Sequence, residues 1–303
     1  MSIQRHFSQS FVRTPNVHTA RNSAKELEEA TNKYSIDNLL REDLSYRSYQ
    51  GTLEGRTITV SKVRGCPEPL EPSNRALEVA VSCQISHANV VKFIGCCLET
   101  RFPILVYEYF SDVDLFSSIC KGSITWENRL TIAMDIAHAI TYLHIGANLP
   151  IIHRSINSRN ILLREGCNAK IIGFERSLKL PLGETQIETL VMGTVGYVDP
   201  VYVDSSQISE KSDVYSYGAV LFEIVAGKRP YMIGDPFPNK VEQFLQSTEE
   251  ERMKFIESNV LKEAKKEQLV SFVQVIVKCL SASWEDRPDM KQVVQQLWRI
   301  KKR

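Results

Sequence analysis

The alternation of apolar and polar positions changes character about a third of the way along the chain. Residues 53–63 alternate in the manner of strands around the turn residues Glu54-Gly55. Residues 90–98 and 104–110 are rich in Val, Ile, Phe and Tyr and also predict strands. Between them, 66–74 carries three prolines and predicts a loop, and 75–85 has helical period. Residues 25–33 (KELEEATNK) predict a short charged helix, and the polar residues 1–24 a flexible arm. Beyond residue 112 the period becomes helical. Residues 130–144 (LTIAMDIAHAITYLH) place apolar side chains at i, i+3, i+4 and i+7. Apolar runs at 151–152 and 161–163 flank a polar turn, 170–172 predicts a short strand, and 173–207 reads as loop. An apolar helix over 211–226 ends at Gly227 and Pro230, and two more helices follow near 265–281 and 289–301. The pattern predicts an α+β chain without repeats: a small β-rich lobe over 25–110 and a larger helical lobe over 111–303.

Composition narrows the class. The 303 residues are 43% hydrophobic, enough for a core and against wholesale disorder. Lys and Arg number 37 against 36 Asp and Glu, and a net charge of +1 argues against a nucleic-acid partner held by a basic face. No apolar run reaches the roughly 18 residues of a membrane helix; the longest, 217–227, is interrupted by Glu223. The first ten residues lack the apolar stretch of a signal peptide, and Ser2 rather than Gly excludes N-myristoylation. Seven cysteines, with no C-x-x-C pair and with Cys96 beside Cys97, suit neither a disulfide framework nor a zinc knuckle. A reducing cytosol is the expected compartment.

Candidate chemistry comes from short motifs in a fixed order. Thr59-Val60-Ser61-Lys62 lies on a predicted strand and Glu78 on the next helix, nine residues before His87-Ala88-Asn89. Then follow 153–160 (HRSINSRN), Gly173-Phe174-Glu175, 193–201 (GTVGYVDPV), 212–218 (SDVYSYG) and Asp286-Arg287-Pro288. Each is weak alone, but seven in this order and spacing resemble the motif set of eukaryotic protein kinases over about 26–301. The 26–32 segment (ELEEATN), the 95–99 block (GCCLE) and GTVGYVDPVY resemble plant receptor-like kinases. Lacking a span or ectodomain, the chain looks like a receptor-like cytoplasmic kinase. Within that group it most resembles the HopZ-ETI-deficient-related pseudokinases, adaptors for coiled-coil NLR immune receptors.

The resemblance allows the catalytic parts to be audited one by one. Phosphoryl transfer depends on positioning and charge stabilisation. The three phosphate-loop glycines fall on Arg41, Asp43 and Tyr46, whose side chains would block close approach of backbone N–H groups to phosphates. Lys62 and Glu78 match the retained ion pair, either holding phosphates or bracing strand to helix; the brace fits better where the other parts are missing. Ser155 stands where the catalytic-loop Asp belongs and cannot act as a carboxylate base. Asn157 replaces the phosphate-steadying Lys. Asn160 keeps the second metal-ligand position, or simply holds the turn. Gly173 replaces the metal-binding Asp and offers no oxygen ligand; Glu175 is expected to point elsewhere. His153 and Asp213 match scaffold residues of the loop, and Tyr107 falls at the gatekeeper position. Arg287 is expected to have lost its acidic partner, because that position is Val201.

The resemblance thus implies a catalytically inactive adaptor or decoy, with no cofactor or metal required and weak ATP binding left open. The alternatives are a nucleotide-binding switch or a weakly active Ser/Thr kinase. Implied partners are a coiled-coil NLR receptor, an active receptor-like cytoplasmic kinase and bacterial effectors. The activation segment, with Thr185, Thr189 and Thr194, is the expected docking surface. Phe7, Phe11, Val12, Leu39 and Leu40 are candidate receptor-facing residues. The implied location is cytoplasmic, with a peripheral plasma-membrane position as part of a receptor complex. The basic run Arg299, Lys301, Lys302 and Arg303 is read as complementing a helix C-terminus.

Overall fold

The computed structural model describes residues 20–42, 46–64, 72–122, 124–164, 167–231 and 239–303. Phe7, Phe11, Val12 and Asp43 lie outside them. The alternating segment near residue 55 folds as a hairpin of β3 (Tyr46–Leu53) and β4 (Arg56–Val63). Its turn residues, Glu54 and Gly55, both have positive φ, as a two-residue turn matched to strand twist requires. β2 (Leu39–Glu42) adds to β3 on one side, and β6 (Ile104–Glu108) and β5 (Phe93–Cys97) to β4 on the other, all antiparallel. The short strand β1 (Ala20–Arg21) pairs parallel with β5 at the far edge. Helix α1 (Ala24–Ala30) follows, with a Ser23–Glu26 capping box and Leu27 fully buried. Residues 20–24 of the predicted arm are therefore structured, because the sheet edge offers a backbone partner that period alone does not reveal.

Period 2 divides β4 between two faces. Ile58 and Val60 pack with Leu27, Ile104 and Val106 under α1. Thr59 and Ser61 face the other way, toward helix α2 (Pro72–Ser82) and the second lobe. The proline at the start of α2 suits a first helical turn, so the helix begins three residues before the predicted 75.

The larger lobe is built round α6 (Glu210–Ala226), buried on every side from Ser212 onward. Around it pack α4 (Trp126–Thr141), which continues as a π-helical turn to Gly146, α10 (Lys266–Cys279) and α11 (Met290–Lys301). The short helices α3 (Leu115–Cys120), α7 (Lys240–Gln246), α8 (Glu249–Arg252) and α9 (Ser258–Glu263) fill the remaining sides. The hairpin β8–β9 (Ile161–Arg164, Asn168–Ile171) faces the sheet lobe across a cleft. The chain is an α+β bilobal kinase fold, as the sequence pattern predicts.

The expected loop over 173–207 is partly structured. β10 (Leu178–Lys179) pairs with β7 (Ile151–Ile152), β11 (Gln186–Glu188) pairs with β12 (Gln207–Ser209), and α5 (Pro200–Ser205) lies between them. Strands of two or three residues are too short to show a period, and tertiary pairing makes them. No helix of the described residues is long and apolar enough to cross a membrane.

Candidate active-site cleft

The cleft holds about 120 Å³ of free space, less than the roughly 300–1,000 Å³ of a typical small-molecule site. Leu40, Thr59, Val91, Leu162 and Ile172 line it, so Leu40 is a cleft residue rather than a receptor-facing one.

The strand register overturns one sequence reading. Lys62 lies on the face of β4 opposite the cleft, its Nζ 4.1 Å above the ring of Tyr34. The cleft-facing position is Ser61, and the lysine motif falls on Ile58-Thr59-Val60-Ser61. A one-residue shift in a strand sends every side chain to the other face. The packed positions Ile58 and Val60 were the available signal.

Lys62 and Glu78 therefore form no ion pair. Glu78 is buried and bonded instead to Arg75, one turn earlier on α2, and accepts from Tyr107 Oη at 2.7 Å. Arg75 also donates through Nη2 to the Ser61 carbonyl and Oγ, both at 2.8 Å. Its guanidinium is covered by the Tyr46 ring at 4.3 Å. Burial alone would lower the Arg75 pKa, but the Glu78 charge reverses that and holds it above its ordinary value. The cation missing from the strand is supplied from within the helix. Sequence reasoning missed Arg75, although its i, i+3 spacing to Glu78 is a readable pair. Tyr107 fills the back of the site, and burial pushes its hydroxyl well above the usual range.

Across the cleft, Asp213 organises the 153–160 loop. Its carboxylate accepts from the backbone N–H of His153 (2.8 Å) and Arg154 (3.0 Å) and faces His144 Nε2 at 3.1 Å. Burial would raise the Asp213 pKa, but the His144 hydrogen bond and charge bring it below its ordinary value. His153 packs edge-on against Phe174 at 4.7 Å, and burial lowers its pKa to about 4. It is a neutral packing group.

Ser155 is buried and accepts from Asn160 Nδ2 at 3.0 Å, while Arg176 Nη1 stands 3.4 Å from its Oγ. The Asn160 amide also donates to the Ser155 carbonyl at 2.9 Å. Asn157 caps the 3-10 turn Ser158–Asn160 through Oδ1 and reaches Thr194 Oγ1 at 3.3 Å through Nδ2. Thr194 is thus turned inward, Thr189 is half-buried, and Thr185 is exposed.

Gly173 has φ +88°, and an added Cβ would lie 2.7 Å from Asn160 Nδ2. Contrary to the sequence expectation, Glu175 lines the cleft. Burial, then the nearby Glu78 charge, raises its pKa, and Arg176 stands 3.4 Å away. A magnesium ion bridging phosphates needs ionised oxygen donors. Glu175 is held toward neutrality by burial, the other lining acids Glu42, Glu78 and Glu108 are each paired with a cation, and the Asn160 amide is tied to Ser155; this set does not fit that group. Above the site, Arg41 Nη2 donates to the Arg159 carbonyl at 2.6 Å, so the residue at a phosphate-loop glycine position spans the cleft mouth.

Arg287 corrects another expectation. It has not lost its acid: its guanidinium pairs at 2.8 Å with Asp199, two residues before Val201, and both side chains are fully buried. Trp284 Nε1 donates to the second Asp199 oxygen at 2.7 Å, and Asp199 caps α5 through the Val201 N–H. The activation segment keeps its anchor with a shifted acid.

A family model for protein tyrosine and serine/threonine kinases matches residues 50–297. The chain belongs to that family. It is similar to wall-associated receptor kinase-like 1 of Arabidopsis thaliana, 40% identical over 286 residues that make up 92% of this chain and 39% of that protein. It is also similar to wall-associated receptor kinase 3 of the same plant, 39% identical over 89% of this chain and 38% of that protein. The chain spans about two fifths of the length of these relatives. It is a kinase-like domain related to plant wall-associated receptor kinases.

Proposed function

We propose that this domain is a pseudokinase that works by binding other proteins rather than by transferring phosphate. The observation that carries this reading is the cleft floor at Gly173, which bears no carboxylate and has Asn160 where one would sit. Ser155 at the base position, Ser61 at the strand lysine position and Arg41 and Tyr46 in the phosphate loop support it. Losing a general base alone typically lowers a rate by ~10²–10⁴. The partners we propose follow the family resemblance: a coiled-coil NLR receptor on one side and a receptor-like cytoplasmic kinase, altered by a bacterial effector, on the other. The domain would act in the cytoplasm, at the membrane through its receptor complex. The activation segment supports a docking role, because Leu182, Leu190 and Val195 are 90%, 83% and 66% exposed on it. Thr185 is the exposed threonine of that surface.

Two measurements test the reading. Purified protein with magnesium and radiolabelled ATP should give no phosphate transfer to itself or to a generic protein substrate. Its unfolding temperature should not rise with ATP, whereas a ligand at about 100 Kd adds ~2.7 kcal/mol of stability. Transfer abolished by Ser155→Ala would refute the inactive reading. A clear thermal shift without transfer would favour the nucleotide switch instead.

A further inference from the structure

The end of the 153–160 loop carries a cationic feature that neither the fold nor the proposed function requires. Phe116 of α3, half-buried, is flanked by two guanidiniums from different elements. Arg159, exposed on the 3-10 turn, lies 5.1 Å from the ring centroid, and Arg229, just after α6, lies 3.9 Å from it. Stacking on one aromatic ring holds both groups in place without neutralising them. Neither lies within 4.0 Å of a carboxylate among the described residues. The neighbouring acids are otherwise engaged. Asp114 caps α3 through Ser117 N–H at 2.7 Å; Glu223 is fully buried and bonded to Ser158 and Tyr197, and feels the Arg229 charge without forming an ion pair with it. Asp112 is exposed on the same segment but pairs with neither arginine.

The charge extends along the loop. Arg176 stands beside Ser155, where an active kinase carries an acid, although it also pairs with Glu175 at 3.4 Å, and Arg41 donates to the Arg159 carbonyl from the other lobe. An acid has been lost here and cations gathered along one side of the cleft mouth.

The geometry points to a docking surface for an acidic peptide segment of a protein partner, its carboxylates received by Arg159 and Arg229. A planar guanidinium accepts a carboxylate through two parallel N–H bonds, and pre-placing the group on Phe116 reduces the ordering needed on binding. Rim charges of this kind set partner choice and association rate. The inference goes beyond the adaptor reading and does not depend on it, because such a segment would dock whether or not the cleft turns over nucleotide.

The test uses the full chain and fluorescence anisotropy with a labelled peptide of alternating Asp and Glu, about eight residues long, against the Asn/Gln peptide of equal length. Saturable binding of the acidic peptide is expected, weakened roughly tenfold or more in the Arg159→Gln/Arg229→Gln double variant, since the charge-assisted bonds to its carboxylates are lost. Binding should also weaken steeply as salt rises. Arg159→Glu, a change at an exposed site, is the second variant, and an unchanged urea midpoint shows that each variant is folded. Equal affinity of wild type and double variant for the acidic peptide, or equal binding of the neutral peptide, overturns the proposal. So does binding of the Asn/Gln peptide with one residue replaced by phosphoserine when the acidic peptide fails to bind.

Discussion

At Gly173 a single residue removes both a carboxylate and the space for one. Its φ of +88° is open to glycine and strained for any other residue, and Asn160 Nδ2 sits 2.7 Å from where a Cβ would be. Asn160 cannot easily yield, because its amide donates twice to Ser155. Restoring Asp at 173 therefore meets a structural obstacle before any chemistry begins. Gly183 supplies a control, with φ +87° and nothing within 4 Å. A side chain in the left-handed region costs about 1–2 kcal/mol, and Gly183→Ala should lose no more than that. Gly173→Ala should lose about 1 kcal/mol more, because the Asn160 contact is added to the backbone strain. Urea denaturation of the two variants compares them directly, and equal losses would show that Asn160 moves freely aside.

At the scale of the element, α2 carries its own cation. Arg75 and Glu78 face the cleft from one turn of helix, and both are nearly fully buried. Removing one partner of a buried ion pair costs ~3–5 kcal/mol, because the other charge is left uncompensated. Arg75→Met and Glu78→Leu should each fall in that range, and the double variant should lose much less than their sum. Lys62→Ala should cost at most ~1 kcal/mol, the worth of an exposed cation–π contact. A double-mutant cycle in urea reads the coupling, and strictly additive losses would mean that Arg75 does not compensate Glu78. What was legible in the sequence follows from the same physics. The long helices and the β3–β4 hairpin were readable, because their faces are buried and their periods therefore strict. Ser61 was hidden by a shift of one residue, and Arg75 by its position on a different element from the lysine it replaces. Asp199 was hidden in the same way, since Arg287 reaches an acid two residues from the expected place. β10 and β11 left no pattern, being made by pairing alone.

At the scale of the whole molecule, Glu223 joins three parts that could otherwise move separately. It stands on the central helix α6, accepts from Tyr197 Oη of the activation segment at 2.6 Å, and accepts from Ser158 Oγ of the 153–160 loop at 2.9 Å. Burial raises its pKa to about 7, more than the two hydroxyl bonds lower it. The folded chain therefore holds a proton there that the unfolded chain releases near pH 4.5. Between those values the native state binds more protons, so this group's contribution to stability falls as pH rises and is fully lost above about pH 7. At 1.36 kcal/mol per unit, the change amounts to about 3 kcal/mol at most. His153 acts in the opposite sense. Its pKa is lowered from 6.5 to about 4, so the unfolded state binds more protons between those values and stability rises with pH there. The wild type should consequently show a shallow profile from pH 5 to 6.5, with two slopes opposed. Glu223→Gln keeps an oxygen acceptor for one of the two hydroxyls, presents an amide donor to the other, and removes one of the slopes. The variant's stability relative to wild type should rise with pH from about 5 to 8 by up to about 3 kcal/mol, unmasking the histidine's slope at the acid end. Urea unfolding at a series of pH values measures this difference. A flat difference curve would mean that Glu223 is ionised in the folded protein throughout pH 5 to 8, and that its hydroxyl partners, not its proton, hold the activation segment to the core.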